Sequence, residues 1–117
     1  YGVDIVVSAS TAVAVPEVCF RELDRVRVKG KREPIAIYEP LGLKSEVNSA
    51  VTEAAAAFAL ALAAYRGQRW EEAERRIADL ARAGAQPLYG LYLERIRHFR
   101  GVAPAPGWDG VWAFESK

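Results

Sequence analysis

The sequence predicts an α+β protein, with a β-α-β-β unit over residues 1–42 followed by an α-helical extension. Two observations carry that expectation. Val26 and Val28 alternate with Arg25, Arg27 and Lys29 in steps of two, and the apolar run Ile35–Tyr38 follows a few residues later, the pattern of two strands. From residue 49 onward the apolar residues recur every three or four positions instead, the spacing of amphipathic helices. The period changes across the polar stretch 43–48, so the chain divides into 1–42, a helical unit over 43–102, and a linker and tail over 103–117.

The strand half reads in order as follows. Val3–Val7 is an apolar run with one charge, Asp4, and predicts the first strand. Ser8 and Ser10 stand where a helix N-cap is expected, and Thr11–Val15 forms a short helix that must stop before Pro16. Phe20, Leu23, Val26 and Val28 mark the second strand. Lys29-Gly30-Lys31-Arg32 is a tight basic turn, because Gly30 tolerates the positive φ that a hairpin needs. Pro34 opens the third strand, Ile35–Tyr38, which Pro40 and Gly42 are expected to stop. A unit of this size does not bury its sheet face alone. The missing cover is expected from other parts of a longer protein or from another copy.

In the helical half, Asn48 or Ser49 can cap a helix that runs to about Arg66 and aligns Val51, Ala55, Phe58, Leu62 and Tyr65. Gly67 breaks it. Trp70, Ala73, Ile77 and Leu80 mark a second helix, bounded by Gly84 and Pro87. A third spans about Leu88 to Phe99 and presents Leu88, Leu91, Tyr92, Arg95, Ile96 and Phe99. Residues 101–107 are a Pro/Gly linker that cannot hold a helix. Trp108, Val111, Trp112 and Phe114 follow; left in water they would form an unusual apolar patch, so the tail is expected to fold back on the helices or the hairpin.

Bulk composition excludes more than it assigns. With 51% apolar and 26% charged residues the chain has the balance of an ordinary soluble globular protein. A net charge of +1 gives no argument for nucleic acid or membrane partners. The basic cluster Arg25, Arg27, Lys29, Lys31 and Arg32 has no interleaved aromatic platform for stacking bases, so nucleic acid is not expected. Cys19 is the single cysteine, so no intrachain disulfide can form and a small core residue is the simpler reading. One Cys and one His, His98, cannot build a recognised metal site. The longest apolar segment, Ala54–Tyr65, is too short to span a bilayer, and no membrane contact is expected of this segment. The chain opens on Tyr1-Gly2-Val3 at what reads as the start of a strand, which suggests a piece cut from a larger fold.

The residues PEVCFRELDRVRVKGKREPIAIYEPLG resemble the C-terminal end of a class III adenylate/guanylate cyclase catalytic domain. YGVDIVVSASTAVAV resembles the strand and helix that precede that hairpin in the family, and WDGVWAFESK the ending of bacterial members with a C-terminal extension. VKGK followed by EPIAIYE is the most specific part. The resemblance implies a ferredoxin-like cyclase domain of which residues 1–42 are the last elements. It further implies conversion of ATP to 3′,5′-cyclic AMP and pyrophosphate, with two Mg²⁺ or Mn²⁺ ions, at the interface of a homodimer. By position in the motif, Lys29 resembles the lysine that contacts the polyphosphate. The other parts of the family's machinery are not matched: the sole asparagine, Asn48, is followed four residues later by Thr52 where an arginine is needed. Asp4, Asp24, Asp79 and Asp109 stand in contexts unlike the family's metal-binding strands. The resemblance therefore implies a catalytically inert chain with no cofactor of its own. Its partners would be the remainder of the cyclase domain, a second copy and, in the intact enzyme, ATP. The expected location is cytoplasmic, with upstream segments attaching the parent to the inner membrane.

Phe58, Leu62, Tyr65, Gly67, Trp70, Ala73 and Ile77 fall on a spacing similar to one degenerate tetratricopeptide unit. Small Ala73 would let two antiparallel helices approach while Tyr65 and Trp70 fill the gap. Because a stable array takes about three such units, two readings stand: a three-helix cap with this packing mode, or an interaction surface formed by Tyr65, Trp70, Tyr89, Tyr92, Trp108 and Trp112. An open groove would favour binding. A groove filled by Trp108 and Trp112 would favour a self-capped extension.

Overall fold

The computed structural model describes residues 1–27 and 33–112. The chain is α+β, in the order β1 (Val7–Ser8), α1 (Ala9–Ala14), β2 (Val18–Val26), β3 (Ile35–Leu43), α2 (Ser49–Arg66), α3 (Trp70–Ala83) and α4 (Pro87–Gly101). The strands form an antiparallel sheet in the order β1-β3-β2.

Two strands differ from the sequence expectation. The first is much shorter, because Tyr1 and Val3 pack against the core instead of pairing, while Ile5 and Val6 stay exposed. Gly2 passes so close to α4 that a Cβ on it would lie 2.6 Å from the Pro87 Cγ, and its φ of +77° is open to glycine. The third strand runs on through Pro40 and Gly42. β1 pairs with β3 at Ile37 and Tyr38, so Pro40 lies beyond that pairing and its missing N–H breaks no ladder there. The register slips beside it, between Cys19 and Phe20, which absorbs Leu41 as a bulge.

A second slip has more effect. Between Glu22 and Asp24 the ladder skips Leu23. Two consecutive residues of β2, Leu23 and Asp24, are thereby buried, where strict alternation would bury one. Leu23 enters the helical core and Asp24 becomes a buried carboxylate.

The helices follow their local signals. The Asn48 side chain accepts from the Val51 N–H at 2.9 Å, which settles the choice between Asn48 and Ser49 as cap of α2. Gly67 ends that helix, and the left-handed turn residue is its neighbour Gln68, at φ 61°. α3 carries Glu71 and Glu72 in its first turn, where the helix dipole favours acids. α4 opens on Pro87, whose absent N–H would have had no helical partner anyway.

One core joins both halves. Leu23 from β2 packs with Phe58, Ala61, Leu62 and Tyr65 from α2, Ala73 and Ile77 from α3, and Leu88, Tyr92, Ile96 and Phe99 from α4. Trp108 and Trp112 pack against the same cluster. Ala61, Ala64 and Ala73 are fully buried, and such small side chains let neighbouring helices approach closely.

Candidate functional site

Lys29, the residue singled out for polyphosphate contact, lies outside the described residues, as do Lys31 and Arg32. The base of its hairpin is described: the last cross-strand pair is Val26 with Ile35. Two cations sit at that base on alternate positions of the chain, hence on one side of it. Arg25 donates from Nη1 to the backbone carbonyl of Asp109 at 2.7 Å, and Arg27 forms an ion pair with the Asp109 carboxylate. The C-terminal tail is thus seated beside the basic hairpin.

The six aromatic residues offered as an interaction surface mostly converge, but on each other. Trp108 packs edge-on to Tyr65 with centroids 5.4 Å apart, and lies 5.9 Å from Trp70 and 5.0 Å from Phe99. Trp70 stacks on Phe99 at 5.1 Å. Trp112 meets Phe99 at 5.2 Å and His98 at 5.3 Å. Tyr65 and Tyr92 are fully buried and meet edge-on at 5.0 Å. Tyr89 lies apart from the tail, against Phe58 at 5.9 Å. Trp108 thus packs among side chains of α2, α3 and α4, and Trp112 lies on α4. Tyr89 instead borders a cavity of about 580 Å³ beside the sheet, whose wall also includes Val51, Leu80 and the Arg21–Glu39 ion pair.

At the joint between sheet and helices lies a buried polar cluster. Asp24 and Arg95 are each 1% exposed, with Arg95 Nη2 3.0 Å from Asp24 Oδ2. The same oxygen accepts from the Tyr1 hydroxyl at 2.7 Å. Oδ1 accepts from the Arg25 backbone N–H at 2.8 Å and lies 2.9 Å from the Tyr92 hydroxyl, which is also 2.7 Å from the Leu23 carbonyl. The Arg95 guanidinium lies against the rings of Tyr92 and Trp112, at 4.9 and 5.3 Å. Burial alone would lower the Arg95 pKa, but the hydrogen bond and charge of Asp24 outweigh it and push it up. Burial pushes the Tyr65 phenol up to about 12, and burial together with the Asp24 charge pushes Tyr92 higher still. These phenols stay neutral and the guanidinium stays charged, so the cluster acts as an anchor between sheet and helices.

In the sequence Asp24 and Asp109 stand out only as carboxylates in contexts unlike metal-binding strands, with nothing that assigns either a partner. The available signal for the anchor was Arg95, a charge on an otherwise apolar stripe of α4, which requires a buried partner. Nothing local marks Asp109.

Among the described residues no three His, Cys, Asp or Glu side chains come together, and both oxygens of Asp24 are taken by Arg95, Tyr1, Tyr92 and the Arg25 amide. Among the described residues, no helix is long and apolar enough to cross a membrane. No family model, no curated protein and no solved structure matches this chain.

Proposed function

We propose that the chain is the C-terminal part of a bacterial class III adenylate cyclase, its first 42 residues closing the catalytic domain and the remainder forming a self-capped helical extension. The observation that carries the reading is the run FRELDRVRVKGKREPIAIYEPLG, in which VKGK stands in sequence between β2 and β3. The antiparallel pairing of β2 with β3, and the helix α1 just before them, are in keeping with it. So is the exposure of Ile5, Val6 and Val13, apolar side chains that further elements of a cyclase domain would cover.

In this reading Lys29 supplies a fixed cation to the polyphosphate of ATP as charge builds on the departing pyrophosphate. The metal ions and the groups that orient the ribose belong to parts of the enzyme outside this chain, and a second copy completes the site. The protein works in the cytoplasm, with upstream segments holding it at the inner membrane. The chain alone is inert.

The alternative reading is a tetratricopeptide-like module that binds a peptide and performs no catalysis. The packing of Trp108 against Tyr65, Trp70 and Phe99 favours the self-capped extension over it. The test is product formation by the full-length protein from Mn²⁺-ATP and from Mn²⁺-GTP. Cyclic AMP from ATP is expected. No cyclic nucleotide from either substrate would move the assignment to the interaction module.

A further inference from the structure

We propose that Asp109 is a positioning residue for the basic segment, clamping the strand end that leads into it to the C-terminal tail through Arg25 and Arg27. The inference rests on the cyclase reading for its catalytic consequence, but the clamp itself stands on geometry. Arg25 and Arg27 are more than eighty positions away from Asp109 in sequence, yet both converge on it, one on the carbonyl and one on the carboxylate. One residue therefore fixes two successive outward side chains of the chain entering the turn.

Asp109 is itself held from behind. Its Oδ1 accepts from the Val111 N–H at 3.2 Å, and the Trp108 indole N–H donates to the Val111 carbonyl at 2.8 Å, closing a tight local loop. The loop is pinned on one side by Trp108 among Tyr65, Trp70 and Phe99, and on the other by Trp112 against Arg95 and Phe99. Gly110 lets it lie close: with φ +88°, a Cβ there would stand 2.9 Å from Arg25 Nη1 and 3.1 Å from Arg66 Cγ. An exposed carboxylate on a free tail would lose rotamer entropy on pairing with arginine and contribute little. Asp109 has lost that freedom already, through two tryptophan anchors, so its contacts transmit the position of the helical core to the hairpin.

Lys29 stands two residues beyond Arg27. A lysine on a flexible stem needs a fixed base if its ammonium is to meet one phosphate group repeatedly. The tail then becomes part of the catalytic domain's working geometry, and loosening it lowers turnover without removing any group that touches the nucleotide.

The test has two arms. In the 117-residue chain, amide hydrogen exchange is compared between the native protein and Asp109→Asn, which keeps the Oδ1 acceptor for the Val111 N–H and removes the charge. Asp109→Asn is expected to speed exchange at Val26, Ile35 and Ala36 by roughly two- to fivefold, the range of a partly exposed ion pair, and to leave α3 and α4 unchanged. Unchanged exchange at the hairpin in Asp109→Asn, or a rise spread evenly over the whole chain, would overturn the clamp. In the full-length protein, Asp109→Asn is expected to lower kcat for cyclic AMP more than it raises KM, and to add nothing in a Lys29→Ala background. An equal further loss in that background would overturn the positioning role. A native full-length protein that makes no cyclic nucleotide would overturn the cyclase reading alone, with the exchange arm still deciding the clamp.

Discussion

Asp24 gathers four donors, from Arg95, Tyr1, Tyr92 and the Arg25 amide, in a site closed to water. Such a pair is costly to break on one side, because the survivor is left charged and buried. Arg95→Ala is expected to destabilise the chain by about 3–5 kcal/mol in urea unfolding. Tyr92→Phe, which removes one hydroxyl shared between Asp24 and the Leu23 carbonyl, should cost about 1–3 kcal/mol. The phenols add a pH dependence with a fixed sign. Tyr65 is raised from the ordinary 10 to about 12, so the folded chain holds that proton more tightly than the unfolded chain does. Its contribution is complete below pH 10 and is lost as pH rises through about 12. Urea midpoints measured across that window should fall in the native protein, and fall less steeply in Tyr65→Phe. At this scale the sequence was only partly legible. Arg95 advertised itself as a charge on an apolar stripe, whereas Asp24 is buried by a register slip at Leu23 that strict strand alternation does not foresee.

The helices are the most legible elements, because their signals are local: Asn48 at a cap, Gly67 and Gly84 at ends, Pro87 at a start. Asn48→Ala should therefore cost about 1 kcal/mol, read as a lower thermal midpoint. Gln68→Gly should act oppositely, or at worst be neutral, since Gln68 holds the left-handed turn at φ 61° where a glycine carries no steric penalty. Strand ends were the less legible elements for a physical reason. Whether Val3 pairs or packs, and whether Pro40 stops a strand, depends on which neighbours lie on each side, and these are distant in sequence. Val3 found the core, and Pro40 found a stretch of β3 beyond its pairing with β1.

Across the whole molecule the strand unit and the helical unit share one core through Leu23 and one polar anchor through Asp24 and Arg95. The change of sequence period at residues 43–48 marks a change of secondary structure and not a gap in packing. The return of the tail was legible from its tryptophans, but its seat on Asp109, Arg25 and Arg27 was not, because no local pattern encodes a contact across more than eighty residues. Trp112→Ala should weaken the helical core and the tail seat together, by about 1–3 kcal/mol for a partly buried ring, less than a fully buried tryptophan would cost. The functional reading turns on a single residue, Lys29. The most direct measurement is the rate of cyclic AMP formation by the full-length protein with and without Lys29→Ala. A fall of roughly a hundredfold or more in kcat, the usual cost of deleting one fixed charge-stabilising group, is the predicted result. An unchanged rate in an active enzyme would contradict it, leaving Lys29 a solvated turn residue.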